Sequence, residues 1–169
     1  MDILEAIYTR RSIRKYSKKK VEDEKIQEII RAAMYAPSAV NKQPWHFLVI
    51  DDRSVFRRIM QVHPHAAMLE EASHAVLICG DEHLCHPPGY WTVDCAAATQ
   101  NLLLAAHGLG LGAVWLGVHP REERKQGLRE LFILPPHIQP FALVSVGYPA
   151  EVKPAPDRFR PDRIHYNKW

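Results

Sequence analysis

The sequence predicts one domain in which helices flank a buried sheet, and three observations carry that prediction. Ile26, Ile29, Ile30, Ala33 and Met34 recur on a single helical face, the strongest 3.6-residue period in the chain. His74 to Gly80 (HAVLICG) is an unbroken apolar run of strand length, expected in the middle of a sheet. At 169 residues and 47% apolar composition, the chain can bury roughly 70% of its unfolded surface in a single core.

The elements follow in order. Asp2 with Glu5 three residues on is a capping-box pattern, and Ile3, Leu4 and Ile7 form an apolar stripe, so a first helix should run to about Arg10. A second should begin near Glu22, its acidic first turn complementing the helix dipole, and stop at Ala36 before Pro37. Residues 37–45 read as a loop stiffened by Pro37 and Pro44. Phe47 to Ile50 reads as a strand, Ser54 to Val62 as a helix and Ala66 to Ala72 as a short helix. After HAVLICG and a polar loop to Tyr90, Thr92 to Leu109 is a long helix apolar on more than one face, hence central or covered by a second copy. Ala113 to Val118 and Phe141 to Val146 read as strands, with a helix from Arg121 to Leu131 between them. The last 22 residues hold four prolines and also Phe159, Ile164, Tyr166 and Trp169, aromatic and apolar groups that a free tail seldom carries.

The totals exclude several classes. A net charge of +3 argues against a dedicated nucleic-acid binder, and no apolar run reaches the ~20 residues of a membrane span. The acidic N-terminus does not resemble a signal peptide, and three cysteines without a CxxC pair argue against a disulfide framework, so a cytoplasmic, reduced protein is expected. The spacings of the ten histidines and three cysteines match no standard zinc pattern, so no metal is expected. The glycines of HGLGLG follow a helix instead of opening one, which fits capping and a tight turn, not a dinucleotide loop. No HExxH, nucleophile elbow or Ser-His-Asp order is present, and no catalytic acid or base stands out.

Charge is concentrated in one place: residues 10 to 20 hold seven of the 22 lysines and arginines. Arg10 and Arg11 beside Ser12 offer planar donor forks and a hydroxyl suited to a phosphate monoester. A solvated basic turn would carry the same residues, and other segments decide between the two readings.

RRSIRKY at 10–16, APSAVNKQPWHF at 36–47, the long helix with GLGAVWLG, and GYPAE with a closing RIHYNKW resemble, in this order, the nitroreductase family of flavin mononucleotide (FMN) enzymes. The resemblance implies an α+β fold, a mostly antiparallel sheet flanked by helices. It also implies an intertwined homodimer in which residues 148–169 of one single-domain subunit embrace the other. By position, Arg10 and Ser12 are then phosphate ligands with Arg11 as helper. Arg14 is the basic residue near the ribityl chain and pyrimidine edge, where a fixed cation favours the reduced cofactor. Asn41, assisted by Gln43, is the amide bonding that edge. Pro37, Ser38 and Ala39 belong to the segment that packs on the flavin from the neighbouring subunit. Trp115, Leu116 and Gly117 form the stretch whose backbone amide meets flavin N5. Arg158, or else Lys153 or Arg160, is the tail's phosphate contact. The implied activity is ping-pong hydride transfer from NADH or NADPH to a nitroaromatic or quinone. Flavin breakdown, reductive dehalogenation or non-enzymatic flavin sensing on the same fold are the alternatives.

Overall fold

A computed structural model describes residues 1–169. Five helices and four strands appear where sequence periodicity places them, with shifts of a few residues that have physical causes. α1 (Ile3–Thr9) opens on a complete Asp2/Glu5 capping box. α2 (Asp23–Met34) buries Ile26, Ile29 and Ala33. It ends two residues before the expected Ala36, because Tyr35 has already left the helical region at ψ 6°. β1 (Trp45–Ile50) starts two residues earlier than Phe47, since Trp45 and His46 pair with Gly80 and Cys79.

α3 (Arg53–Val62) is capped by Asp52, and a 3-10 turn at Ala67–Glu70 replaces the expected short helix. β2 (His74–Asp81), α4 (Trp91–Gly108), β3 (Gly112–Gly117), α5 (Glu122–Phe132) and β4 (Ile138–Gly147) complete the set.

The sheet order is β1-β2-β4-β3, antiparallel throughout, as expected for the α+β class. Every residue of β2 is buried because both sheet faces are covered. Val76 and Ile78 face a core shared with α2 and α4, while Ala75 and Leu77 face a second core shared with α3 and α5. This is the period-2 alternation of a strand with apolar residues on both sides. No helix is long and apolar enough to cross a membrane.

One antiparallel ribbon outside the sheet organises the site. Residues 148–154 run beside 11–17: Ser17 N–H donates to the Tyr148 carbonyl (2.9 Å), Ala150 N–H to Lys15 (2.9 Å) and Lys153 Nζ to Ser12 (2.8 Å). The Arg11 guanidinium closes the ribbon on the Pro154 carbonyl. Two glycines let the first strand of this ribbon lie against the sheet. A Cβ on Gly112 would stand 2.7 Å from Ile13 Cγ2, and one on Gly147 would stand 2.8 Å from Tyr16 Cδ1. Gly112 therefore has a packing role beyond the expected turn, whereas Gly110, at φ +73°, is the turn residue itself. The buried Tyr16 hydroxyl donates to the Ile13 carbonyl (2.7 Å) and pairs with Ser145 Oγ (2.8 Å).

Phe159, Tyr166 and Trp169 beyond the ribbon are exposed, as is Val152 within it. Ile3, Leu4, Ile7 and Tyr8 of α1 and Val93 of α4 are exposed as well.

Candidate functional site

The ribbon register carries Arg158 past Arg11 to Arg10. Both guanidiniums line one cavity of about 690 Å³ with Ile7, Tyr8, Gln100 and Phe159. Burial, then the charges of Arg158 and Arg11, pull the Arg10 pKa below its usual value. Asp157 is the carboxylate lining that cavity, and a bound dianion would relieve the repulsion more fully. The three tail residues expected as alternatives are placed differently. Lys153 is committed to the Ser12 carbonyl and to Glu151 (3.3 Å), and Arg160 donates to the neighbouring Phe159 carbonyl (3.0 Å), while Arg158 faces Arg10.

The other members of the basic stretch are placed differently. Arg11 clamps the tail. Ser12 forms a parallel bridge with Ala113, which brings the stretch alongside β3. The Arg14 backbone N–H donates to Glu151 Oε1 (2.6 Å), and its side chain lines a separate, shallow depression with Met68, Glu70 and Glu71. In this chain Arg14 does not join Arg10.

β3 is an edge strand, and its parity decides which of its amides are available. In an antiparallel ladder the N–H and C=O of one residue point to the same side. The Ala113 carbonyl accepts from Ile13 N–H (3.1 Å), and the Gly117 carbonyl accepts from Arg124 Nη1 (2.7 Å) and His63 Nε2 (3.0 Å), all outside the sheet. Residues 113, 115 and 117 therefore face the open edge, and Leu116 turns its backbone to β4. From Ala113, beside Ser12, to Gly117 this edge is ~13 Å long. The edge places anion-binding groups near one end and backbone N–H donors of Trp115 and Gly117 towards the other.

His63 was not foreseen. Buried at 1% exposure at the end of α3, it holds Gly117 from below. Burial lowers its pKa, more than the bond to Gly117 raises it, so a neutral ring donates through Nε2 and accepts His65 N–H at Nδ1 (3.3 Å). Its folded pKa lies below the ~6.5 of an unfolded histidine. On acidification the unfolded state therefore takes up a proton that the folded state refuses, and stability falls as pH drops through ~6.5. Burial lowers His74, His107 and His119 in the same direction. We expect the melting temperature to fall between about pH 7.5 and about pH 5.5. His63→Gln, which keeps a donor but does not titrate, should make that fall shallower; an equal slope would show that His63 is not held neutral.

The Pro37–Gln43 loop is built to hold an unusual shape. Val40, Asn41 and Gln43 have φ of 52°, 54° and 49°, a left-handed region that a β-branched valine rarely enters. Ala39 N–H donates to Asp94 Oδ1 (2.9 Å), Gln43 N–H to Ser38 Oγ (2.9 Å), and Gln43 Nε2 to Asn41 Oδ1 (2.9 Å). Asp94, on α4, thus anchors the loop, a role the sequence did not announce. Strain of this kind, maintained by specific bonds, marks functional loops.

The loop leads into β1 at one edge of the sheet, while β3 is the opposite edge. Three inter-strand spacings, ~14 Å, separate them. One chain therefore does not bring Asn41 and Gln43 to Gly117.

The chain was compared with known proteins. The family model described as "Nitroreductase family" matches residues 7–86 and 87–148. A "Putative NADH dehydrogenase/NAD(P)H nitroreductase" of Methanothermobacter thermautotrophicus is 53% identical over all of this chain and 88% of its own length. Among solved structures, an FMN-dependent nitroreductase of Clostridium difficile superposes with TM-score 0.91 at 30% identity, over 98% of this chain and 99% of its own. A "putative nitroreductase in complex with FMN" from Desulfovibrio desulfuricans gives TM-score 0.87 at 31% identity, over 100% and 98%. Sequence match along nearly the whole chain and the same backbone lead to one conclusion: this chain belongs to the nitroreductase family.

Proposed function

We propose that the chain is an FMN-dependent NAD(P)H oxidoreductase acting as a homodimer, with ping-pong transfer to a small acceptor such as a nitroaromatic or quinone. The observation that carries this reading is the cavity shared by Arg10 and Arg158 beside the open edge of β3. The donor set fits FMN: two half-buried or exposed guanidiniums without sufficient anion for the phosphate, and outward amides of Trp115 and Gly117 for the ring. FMN, when bound, would supply the redox chemistry, hydride exchange with NAD(P)H and with the acceptor.

The protein's own part is binding, orientation and electrostatics. Arg10 and Arg158 hold the phosphate, with Ser12 beside them. The Gly117 carbonyl, pinned by His63 and Arg124, keeps the Gly117 N–H aimed outward, where it would be available to the flavin ring. Asn41 and Gln43, distant from this edge within one chain, reach it from a second copy, and Pro37, Ser38 and Ala39 then cover the ring. The exposed apolar residues of α1, the outer face of α4 and the aromatic tail supply surface for that second copy.

The test is a visible spectrum of the purified protein, followed by NADH addition without oxygen and by sedimentation. A yellow protein that bleaches, at twice the 19.4 kDa chain mass, is expected. A colourless protein that also refuses added FMN would overturn the assignment.

A further inference from the structure

We propose that Asp81, His83 and His137, with His46 beside them, form a site for one divalent transition-metal ion, and that zinc fits its donor set. The site lies at the far end of β2, away from the Arg10 cavity. The ligand atoms of Asp81, His83 and His137 lie within 4.8 Å of one another. They come from three segments: the last residue of β2, the loop that follows, and the connection from α5 to β4. His46 Nε2, on β1, stands 3.4 Å from Asp81 Oδ2.

The framework around them is tied down. Asp81 N–H donates to the Pro44 carbonyl (2.6 Å), Asp81 Oδ1 accepts His83 N–H (2.8 Å), and Glu82 N–H donates to the His137 carbonyl (3.0 Å). The Asp81 side chain is only 11% exposed, so a carboxylate is held near the surface of the core with three imidazoles around it.

The imidazole stack alone, with ring centroids 4.2 Å apart and planes 7° from parallel, would account for two of these residues. It does not account for the nearly buried Asp81 carboxylate beside the stack, with His46 Nε2 3.4 Å from its Oδ2. A cation does. Nitrogen-rich donors with one carboxylate suit zinc and its neighbours; magnesium and calcium want oxygen. The one further carboxylate at the edge, Glu82, is engaged by Gln139 Nε2 (2.8 Å). Zinc bonds are ~2.0–2.1 Å, so the exposed His83 ring would turn towards the ion. The bound ion would clamp the Asp81–Tyr90 loop to β1 and to the start of β4, at the corner where Pro44 ends the Asn41 loop.

The test uses chelator-stripped, FMN-loaded protein titrated with zinc chloride against a chromophoric chelator, and with cobalt(II) chloride to read its visible ligand-field band. We expect one saturable equivalent per chain and a raised melting temperature. His83→Ala/His137→Ala should lose more than roughly tenfold in affinity, since even loss of a supporting partner costs that much. The double variant should keep the melting temperature of metal-free wild type and its bound flavin, which separates loss of ligands from loss of fold. Absence of a saturable equivalent, or undiminished binding by the double variant, would overturn the proposal. Neither outcome bears on the flavin site.

Discussion

Arg10→Ala is expected to weaken FMN binding by ~1.5–3 kcal/mol, the range for a hydrogen bond to a charged group, or roughly 10- to 150-fold in Kd. The effect should depend on the phosphate. Riboflavin, which lacks it, should bind wild type and variant alike. Arg10→Lys should recover only part of the loss, because an ammonium supplies charge without the planar fork. Arg158→Ala should also weaken FMN binding. The double variant should fall short of the sum, since both guanidiniums serve one ligand. Fluorescence titration of the stripped proteins measures each of these affinities. Equal FMN affinity in wild type and Arg10→Ala would remove the phosphate assignment.

Phe56→Ala has the largest expected effect on stability, ~3–5 kcal/mol, and should leave the cofactor site intact. Phe56 is 1% exposed and packs in the core between the sheet and helices α3 and α5, among Ile59, Leu69, Leu77 and Leu143. The Arg53 guanidinium lies 5.4 Å from its ring centroid and would lose that face as well. Truncation removes the transfer energy of a full ring and leaves a void that rigid neighbours on β2 and β4 cannot close. For a chain of this length the loss corresponds to a melting-temperature drop of roughly 6–20 °C. Thermal unfolding of the FMN-free protein measures it, and FMN affinity of the folded variant should match wild type. A drop of under about 2 °C would show that this core relaxes far more than its packing implies.

Several elements were legible because their signals are local. The Asp2/Glu5 box and the Ile26–Met34 stripe act over three or four residues, which is the reach of helix capping and side-chain periodicity. HAVLICG was legible as a buried strand because both of its faces are apolar. The basic stretch was legible as a concentration of charge, but charge density alone left a phosphate site and a solvated turn open. The antiparallel sense came only from the family resemblance and the strand order only from the structure, because no local pattern in β1 to β4 specifies which strand each one pairs with.

The site divides in the same way. By itself the sequence determined the helices and strands, the placement of charge at Arg10 to Lys20, and the segments that mark the family. Only the tertiary structure decided that Arg158 and not Lys153 or Arg160 meets Arg10, because the ribbon register sets that pairing. It also decided that Gly117 and Trp115, not Leu116, present amides at the open edge, since strand parity depends on which neighbour takes the other side. It decided that His63 and Asp94 anchor the site, and that His83 meets His137 across 54 positions (137 − 83). Composition and spacing report interactions between near neighbours along the chain. Contacts between distant segments are set by how whole elements pack, and the chemistry of this protein depends on those contacts.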